Sequence, residues 1–350
     1  MQKFNLLNYN TFLENYNQAQ VWIQKAIFIS HIDWYDICFL NYDILKANGM
    51  TIDQLNRIYG IPGQLKFIEG KGDFPFIRVR NRSATALISL YGGQVLSYQP
   101  ANEDADMLFL SQKAYYDEGK AIRGGIPVCW PWFGADSSGL QQPNHGFVRN
   151  SLWTVLETEA ATDLETKVKL GLIADNKNEI LWQHAFALEL EISVGNCLTL
   201  ELITHNTGNE MFSITQAFHT YFQVGDIKQV KVVGLENTRY FDKLDAGMQK
   251  AQIGAVTVSE EVDRIYTGVK NELIIDDSAF DRRIRISSTG SNTAVVWNPW
   301  LATSATMADL EDEDYQRFLC VEAGNVGNDV VEIPPGCKYS LLTRFQIIRN

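Results

Sequence analysis

The chain has 350 residues, 45% of them hydrophobic, and a formal net charge of -12 at pH 7. That is enough apolar material for one large β domain or two ordinary ones, while the negative field argues against nucleic acid and anionic membrane surfaces as partners. Five cysteines (Cys38, Cys129, Cys197, Cys320 and Cys337) show no CxxC or metal-ligand spacing and read as free thiols of a reducing cytoplasm; the N-terminus lacks the basic-then-apolar order of a signal peptide, and no apolar run nears the roughly 20 residues of a membrane span.

Residues 1–49 carry no clear helical or strand period and are rich in Asn, Gln, Tyr and Ile. They are expected to be an extension dispensable to the fold, with Met50 a plausible alternative start, and residues 50–350 to form the main domain. Thr51-Ile52-Asp53-Gln54 reads as a capping box that opens a short helix through Leu55, Ile58 and Tyr59, stopped by Gly60-Ile61-Pro62. From about residue 66 the pattern becomes strand-like. Alternation or β-branched enrichment predicts strands at 84–98, 152–158, 166–174, 186–194, 198–205, 212–223, 229–233, 272–275, 283–287, 294–297 and 339–348. Gly195-Asn196 and Ser288-Thr289-Gly290-Ser291 read as turns between strands. Many strands, many turns and few amphipathic helices predict an all-β protein, a large antiparallel β-sandwich with a short N-terminal helical extension. The acidic run from Asp309 to Asp314 lacks the glycine and ligand spacing of a calcium loop and is read as a solvated loop.

Two blocks stand out chemically: Arg123-Gly124-Gly125-Ile126-Pro127 and Asn144-His145-Gly146-Phe147-Val148-Arg149-Asn150. Each sets a guanidinium, whose planar fork suits phosphate or carboxylate oxygens, beside glycine-permitted backbone. Between them lies Trp130-Pro131-Trp132-Phe133-Gly134, aromatic material suited to lining a pocket for a small polar ligand. A phosphorylated sugar fits that combination. His219, in Phe218-His219-Thr220-Tyr221-Phe222, shares a strand face with Tyr221; it reads equally well as a satisfied core imidazole or as a proton-transfer group. Glu322, in Val321-Glu322-Ala323-Gly324-Asn325, is either a carboxylate bonded to a turn or, if desolvated, a base with a raised pKa. Asp263 can accept from ligand hydroxyls or pair with a surface arginine. His184 and His205 have no supporting motif. No GxGxxG, Walker A, GxSxG, HxH or HExxH sequence occurs, so no nucleotide, cofactor or metal site is expected.

In order along residues 51–350, these blocks, with Val262-Asp263-Arg264-Ile265-Tyr266 and Val296-Trp297-Asn298-Pro299, resemble the hexose-6-phosphate mutarotases, the glucose-6-phosphate 1-epimerase branch of the aldose 1-epimerase superfamily. The resemblance implies the galactose mutarotase-like β-sandwich and an isomerase that interconverts α and β anomers of a hexose 6-phosphate. It also implies roles: His219 as general acid, Glu322 as general base, Arg123 and Arg149 as substrate-binding arginines, His145 as a second site histidine and Asp263 as a hydroxyl-binding acid. A monomeric cytoplasmic enzyme with a phosphosugar substrate and no cofactor is the resulting expectation. Val148 stands where many relatives carry alanine. The same sandwich could instead serve a non-catalytic sugar-binding module, or a glycoside hydrolase using two carboxylates such as Asp263 and Glu322.

Overall fold

In the computed structural model of the chain, the described residues are 50–136, 142–174, 181–270 and 272–349. The expectations for residues 1–49 lie outside them. Residues 51–350 form one of two compact units. No helix of the described residues is long and apolar enough to cross a membrane.

The helix Ile52–Tyr59 begins as the sequence predicts. Thr51 Oγ1 accepts from the Gln54 amide at 3.3 Å and Gln54 Oε1 from the Thr51 amide at 2.8 Å, completing a capping box. Asn56 then ties the helix to the first strand: its Oδ1 accepts from the Phe67 amide and its Nδ2 donates to the Phe67 carbonyl, both at 2.8 Å.

Among the described residues all strand pairs are antiparallel. A four-stranded sheet (Leu65–Glu69, Pro75–Arg80, Ala84–Ser89, Gln94–Pro100) precedes two large ones. The nine-stranded sheet runs, in spatial order, Val256–Thr257, Val230–Val233, Glu272–Asp277, Arg282–Thr289, Lys338–Ile348, Leu198–Asn206, Phe186–Val194, Glu165–Ile173 and Thr154–Thr162. Its Phe186–Val194 strand alternates strictly between buried and partly exposed residues, because one face meets the core and the other water. The second large sheet orders Met248–Ala251, Arg239–Asp242, Val262–Thr267, Thr293–Asn298, Phe318–Asn325, Gln216–Phe218 and Val128–Cys129, with Tyr221–Gln223 also paired to Phe318–Asn325. Phe222 of this sheet packs on Phe345 of the nine-stranded one at 5.6 Å between ring centroids, and Trp130 Nε1 donates to Thr204 Oγ1 at 3.0 Å. The architecture is the all-β antiparallel sandwich expected.

Several local expectations are corrected. The stretch 84–98 is a hairpin, broken where Gly92 and Gly93 take left-handed φ values of 80° and 59°. The stretch 212–223 is three short strands, the first of which pairs with Val331–Ile333 in a separate two-stranded sheet. The Ser288–Ser291 turn carries the chain from one large sheet to the other instead of closing a hairpin. Phe318–Asn325 escaped pattern reading for a physical reason: all eight residues are buried, so there is no alternation to see.

The backbone after Arg123 depends on glycine. At Gly125 (φ 62°) a Cβ would lie 2.2 Å from the Val95 carbonyl oxygen. Gly119 has a similar φ of 82° but open space around it. Gly125→Ala is therefore expected to destabilise the protein by more than about 2 kcal/mol, and Gly119→Ala by only about 1 kcal/mol. Equal midpoints for the two variants in urea unfolding would refute the steric argument.

Candidate active site

The site is built by strand register. In antiparallel pairing, residues directly opposite each other project from the same face. Glu322 is opposite Val295, Cys320 opposite Trp297, and Trp297 opposite Asp263. On the other side of the Phe318–Asn325 strand, Phe218 pairs with Ala323 and Tyr221 with Cys320. The same register through the two residues between places His219 opposite Glu322. One face of the sheet thus collects Asp263, Trp297, Cys320, Glu322, His219 and Tyr221. His219 Nδ1 lies 3.3 Å from Glu322 Oε1, and the imidazole stacks on the Tyr221 ring at 4.9 Å and 10°.

Loops supply the rest. Arg123, just before the left-handed Gly124 and Gly125, directs its guanidinium to two partners: Nε donates to Asp309 Oδ2 at 3.0 Å and Nη1 to the Tyr221 hydroxyl at 2.9 Å. His145 takes φ 62°, unusual for a residue with a Cβ. It is held there because its amide donates to the Gly134 carbonyl at 2.7 Å and its Nδ1 accepts from the Gly134 amide at 3.2 Å. That second bond puts the proton of the neutral ring on Nε2. Gly146 follows because a Cβ there would sit 1.8 Å from the Trp130 carbonyl oxygen. The His145 and His219 rings lie 5.5 Å apart. Arg149, in the short 3-10 turn Val148–Asn150, donates from Nη2 to the Asn144 carbonyl at 2.7 Å, whereas its buried Nε has no hydrogen-bond partner.

The structure brings all six sequence candidates into one neighbourhood. His184 packs instead between Trp182 and Phe212, and His205 lies 3.3 Å from Glu189 in the nine-stranded sheet. Two expectations need correcting. Of the aromatic stretch, Trp130 is wholly buried among Phe147, Trp182 and Phe186, and only Phe133 reaches the His145 ring, at 4.6 Å. The acidic run is not simply solvated: Asp309 is buried against Arg123, and Asp314 accepts from the Glu311 amide at 2.9 Å. Sequence reading also missed Lys243, whose Nζ is 3.4 Å from Asp263 Oδ2, and the aromatic walls Tyr221 and Trp297. Tyr221 was legible only as a strand-mate of His219; Lys243 carries no motif.

Burial and charge then set protonation. Burial pushes the Glu322 carboxyl well above the ordinary range, and the nearby Asp263 charge adds to it against Lys243 and Arg149. Burial likewise holds His219 well below the ordinary imidazole value, reinforced by His145, Arg149 and Arg123. Burial thus favours a neutral imidazole beside a protonated carboxyl. Asp263 is also raised, chiefly by burial, with Lys243 opposing. At Arg123 burial works against the charge, but Tyr221 and Asp309 outweigh it. Among the described residues, one group could gather metal-ligand atoms: His219, Cys320 and Glu322, within 4.8 Å of one another. Arg123, Arg149 and Lys243 give that spot a positive field that disfavours a cation. What the arrangement offers is an imidazole and a carboxyl facing each other across 3.3 Å, with cations alongside to hold an anionic ligand.

The antiparallel sandwich is the fold of the mutarotase class of isomerases. Residues 75–346 match the aldose 1-epimerase family, and the chain belongs to that family. A protein of Cenchrus ciliaris bearing the provisional name glucose-6-phosphate 1-epimerase is 37% identical over 264 residues, covering 73% of this chain and 79% of its own. One of Escherichia coli with the same provisional name is 36% identical over 252 residues, covering 71% and 83%. A crystal structure of a provisionally named mutarotase from Salmonella typhimurium superposes with a TM-score of 0.78 at 29% identity, covering 88% of this chain and 99% of that one. A galactose mutarotase-like protein of Clostridium acetobutylicum shares the fold, with a TM-score of 0.63 at 16% identity over 82% and 98%.

His145 links the site to acid stability. Burial, with Arg149, Lys243 and Arg123, lowers its pKa from 6.5 to about 3. The unfolded chain therefore takes up this proton first; the contribution to stability is intact above pH 6.5 and is lost as pH falls toward 3, by up to about 1.4 kcal/mol per pH unit. Unfolding free energies measured from pH 7 to 4 are expected to fall less steeply in His145→Gln than in the parent protein. Parallel slopes would remove His145 from the acid response.

Proposed function

We propose that this protein interconverts the α and β anomers of a hexose 6-phosphate, glucose 6-phosphate foremost, by acid-base opening and reclosure of the sugar ring. The observation that carries the reading is the buried His219–Glu322 pair at 3.3 Å beside Arg149 and Lys243, in a member of the aldose 1-epimerase family.

In the forward half-reaction the pair acts in its charge-separated form, with the proton on His219. Glu322 takes the proton from the C1 hydroxyl while His219 gives its proton to the ring oxygen; the C1–O5 bond breaks and C1 becomes an aldehyde. Rotation about C1–C2 presents the other face of the carbonyl. Reclosure reverses both transfers: O5 attacks C1, its proton returns to His219, and Glu322 protonates the new C1 hydroxyl. No proton is gained or lost over the cycle. Ligand hydroxyls that donate to Glu322 Oε2, a buried atom with no partner in the protein, favour the ionised carboxylate this step needs. His145, with Nε2–H free to donate, and Asp263, able to accept, fix the sugar hydroxyls. Arg149 and Arg123 supply positive charge for the phosphate, Arg123 from behind its contacts with Asp309 and Tyr221. Free thiols at Cys129, Cys197, Cys320 and Cys337 suit a cytoplasmic enzyme, and a monomer is its expected form.

An NMR exchange assay on glucose 6-phosphate tests this. Glu322→Gln and His219→Asn are each expected to lower kcat by roughly 10²–10⁴-fold; undiminished exchange in either variant would sink the assignment of roles. The shifted pair also predicts a pH profile. Because His219 gains a second proton on the pair only well below its ordinary range, kcat should hold level as pH drops from 7.5 through about 6.5. An acid limb centred on an ordinary histidine value would contradict the environment described for His219.

A further inference from the structure

Lys243 is the one cation of the site that the reaction above leaves unused, and its setting is built with some care. It sits at the tip of the hairpin joining Arg239–Asp242 to Met248–Ala251, in a 3-10 turn whose reversal uses left-handed Ala246 and Gly247. Asp242 accepts from the Leu244 amide at 3.1 Å and so shapes the turn. Lys250 then lies 2.8 Å from both Asp242 and Asp245, which accounts for the two carboxylates nearest the tip. Lys243 is left to reach across to the neighbouring strand, where it meets Asp263 at 3.4 Å. Its side chain is 45% exposed and that of Asp263 22%, and an ion pair this long and this wet is weak. Its charge nonetheless reaches Glu322 and His145, so it belongs to the site and not to the outer surface.

The other two cations are more committed. Arg123 spends Nε on Asp309 and Nη1 on Tyr221, and Arg149 spends Nη2 on the Asn144 carbonyl. A phosphate monoester brings nearly two negative charges and three strong acceptor oxygens. A lysine on a flexible stem, with three rotatable donors, can turn to such a group where a fixed guanidinium cannot.

We propose that Lys243 determines specificity for phosphorylated over free sugar by exchanging its partner, leaving Asp263 for the substrate phosphate and thereby freeing Asp263 to accept from sugar hydroxyls. The inference rests on the mutarotase reading for its substrate. A free sugar offers nothing to draw Lys243 away, so Asp263 stays paired and the hydroxyl contacts are made less often.

The test compares the parent protein with Lys243→Met and Lys243→Arg on glucose 6-phosphate and on glucose, by NMR exchange and by titration calorimetry with glucose 6-phosphate, after thermal unfolding shows the variants folded. For Lys243→Met, kcat/KM should fall about tenfold or more further on glucose 6-phosphate than on glucose, glucose 6-phosphate affinity should weaken about tenfold, and Lys243→Arg should recover most of the loss. Equal losses on both sugars would mean that Lys243 merely holds Asp263, and no loss on either would mean that it meets no phosphate; both overturn the proposal. If the parent protein exchanges neither sugar, the mutarotase reading fails on its own, and calorimetry still decides the lysine: unchanged glucose 6-phosphate affinity in Lys243→Met overturns the proposal, and affinity about tenfold weaker upholds the phosphate contact.

Discussion

The constraint on which this site depends is a register: the Phe318–Asn325 strand, buried on both faces, lies opposite the chain from Gln216 to Gln223 so that Glu322 meets His219. One face of that strand seals the sandwich with Leu319 and Val321, and the other carries Cys320 and Glu322. A slip of one residue would turn Glu322 into the core and expose Val321 to the ligand. Because the sandwich interior makes such a slip costly, the packing of the fold and the geometry of the pair are fixed by the same contacts.

Burying two titratable groups side by side is least unfavourable when both are neutral, and burial accordingly moves Glu322 up and His219 down. Tyr221 has two parts in it. Its ring stacks on the imidazole while its hydroxyl takes a bond from Arg123, so the orientation of His219 is coupled to an arginine held in turn by Asp309. The chain as a whole is strongly acidic, yet the field at the pair is positive. Long-range repulsion of an anionic ligand is screened by salt within about 10 Å, whereas partly buried guanidinium and ammonium groups act at close range, where screening is weakest.

How much of this was legible follows from what a pattern can encode. Phe186–Val194 was read to the residue because one of its faces meets water; Phe318–Asn325 was invisible as a strand because neither does. Thr51 and Gln54 announced a helix start since capping is a contact over three residues. Trp130 looked like a pocket wall and proved to be core, because an aromatic residue beside proline says nothing about which layer it will enter. Asp309 looked like a solvated acid, since its partner Arg123 is 186 positions away.

The sequence by itself determined the class of fold, through period-two burial and turn residues, and it singled out His219, Glu322, Arg123, His145, Arg149 and Asp263 as the side chains worth watching. Residue types and local spacing suffice for that. Only the tertiary structure decided that Glu322 and His219 face each other, that Arg123 is already engaged, and that Lys243 completes the set of cations. Those are relations between strands and loops far apart in the chain, fixed by register and burial, and desolvation, which sets the protonation of the pair, exists only once the sheets have closed around it.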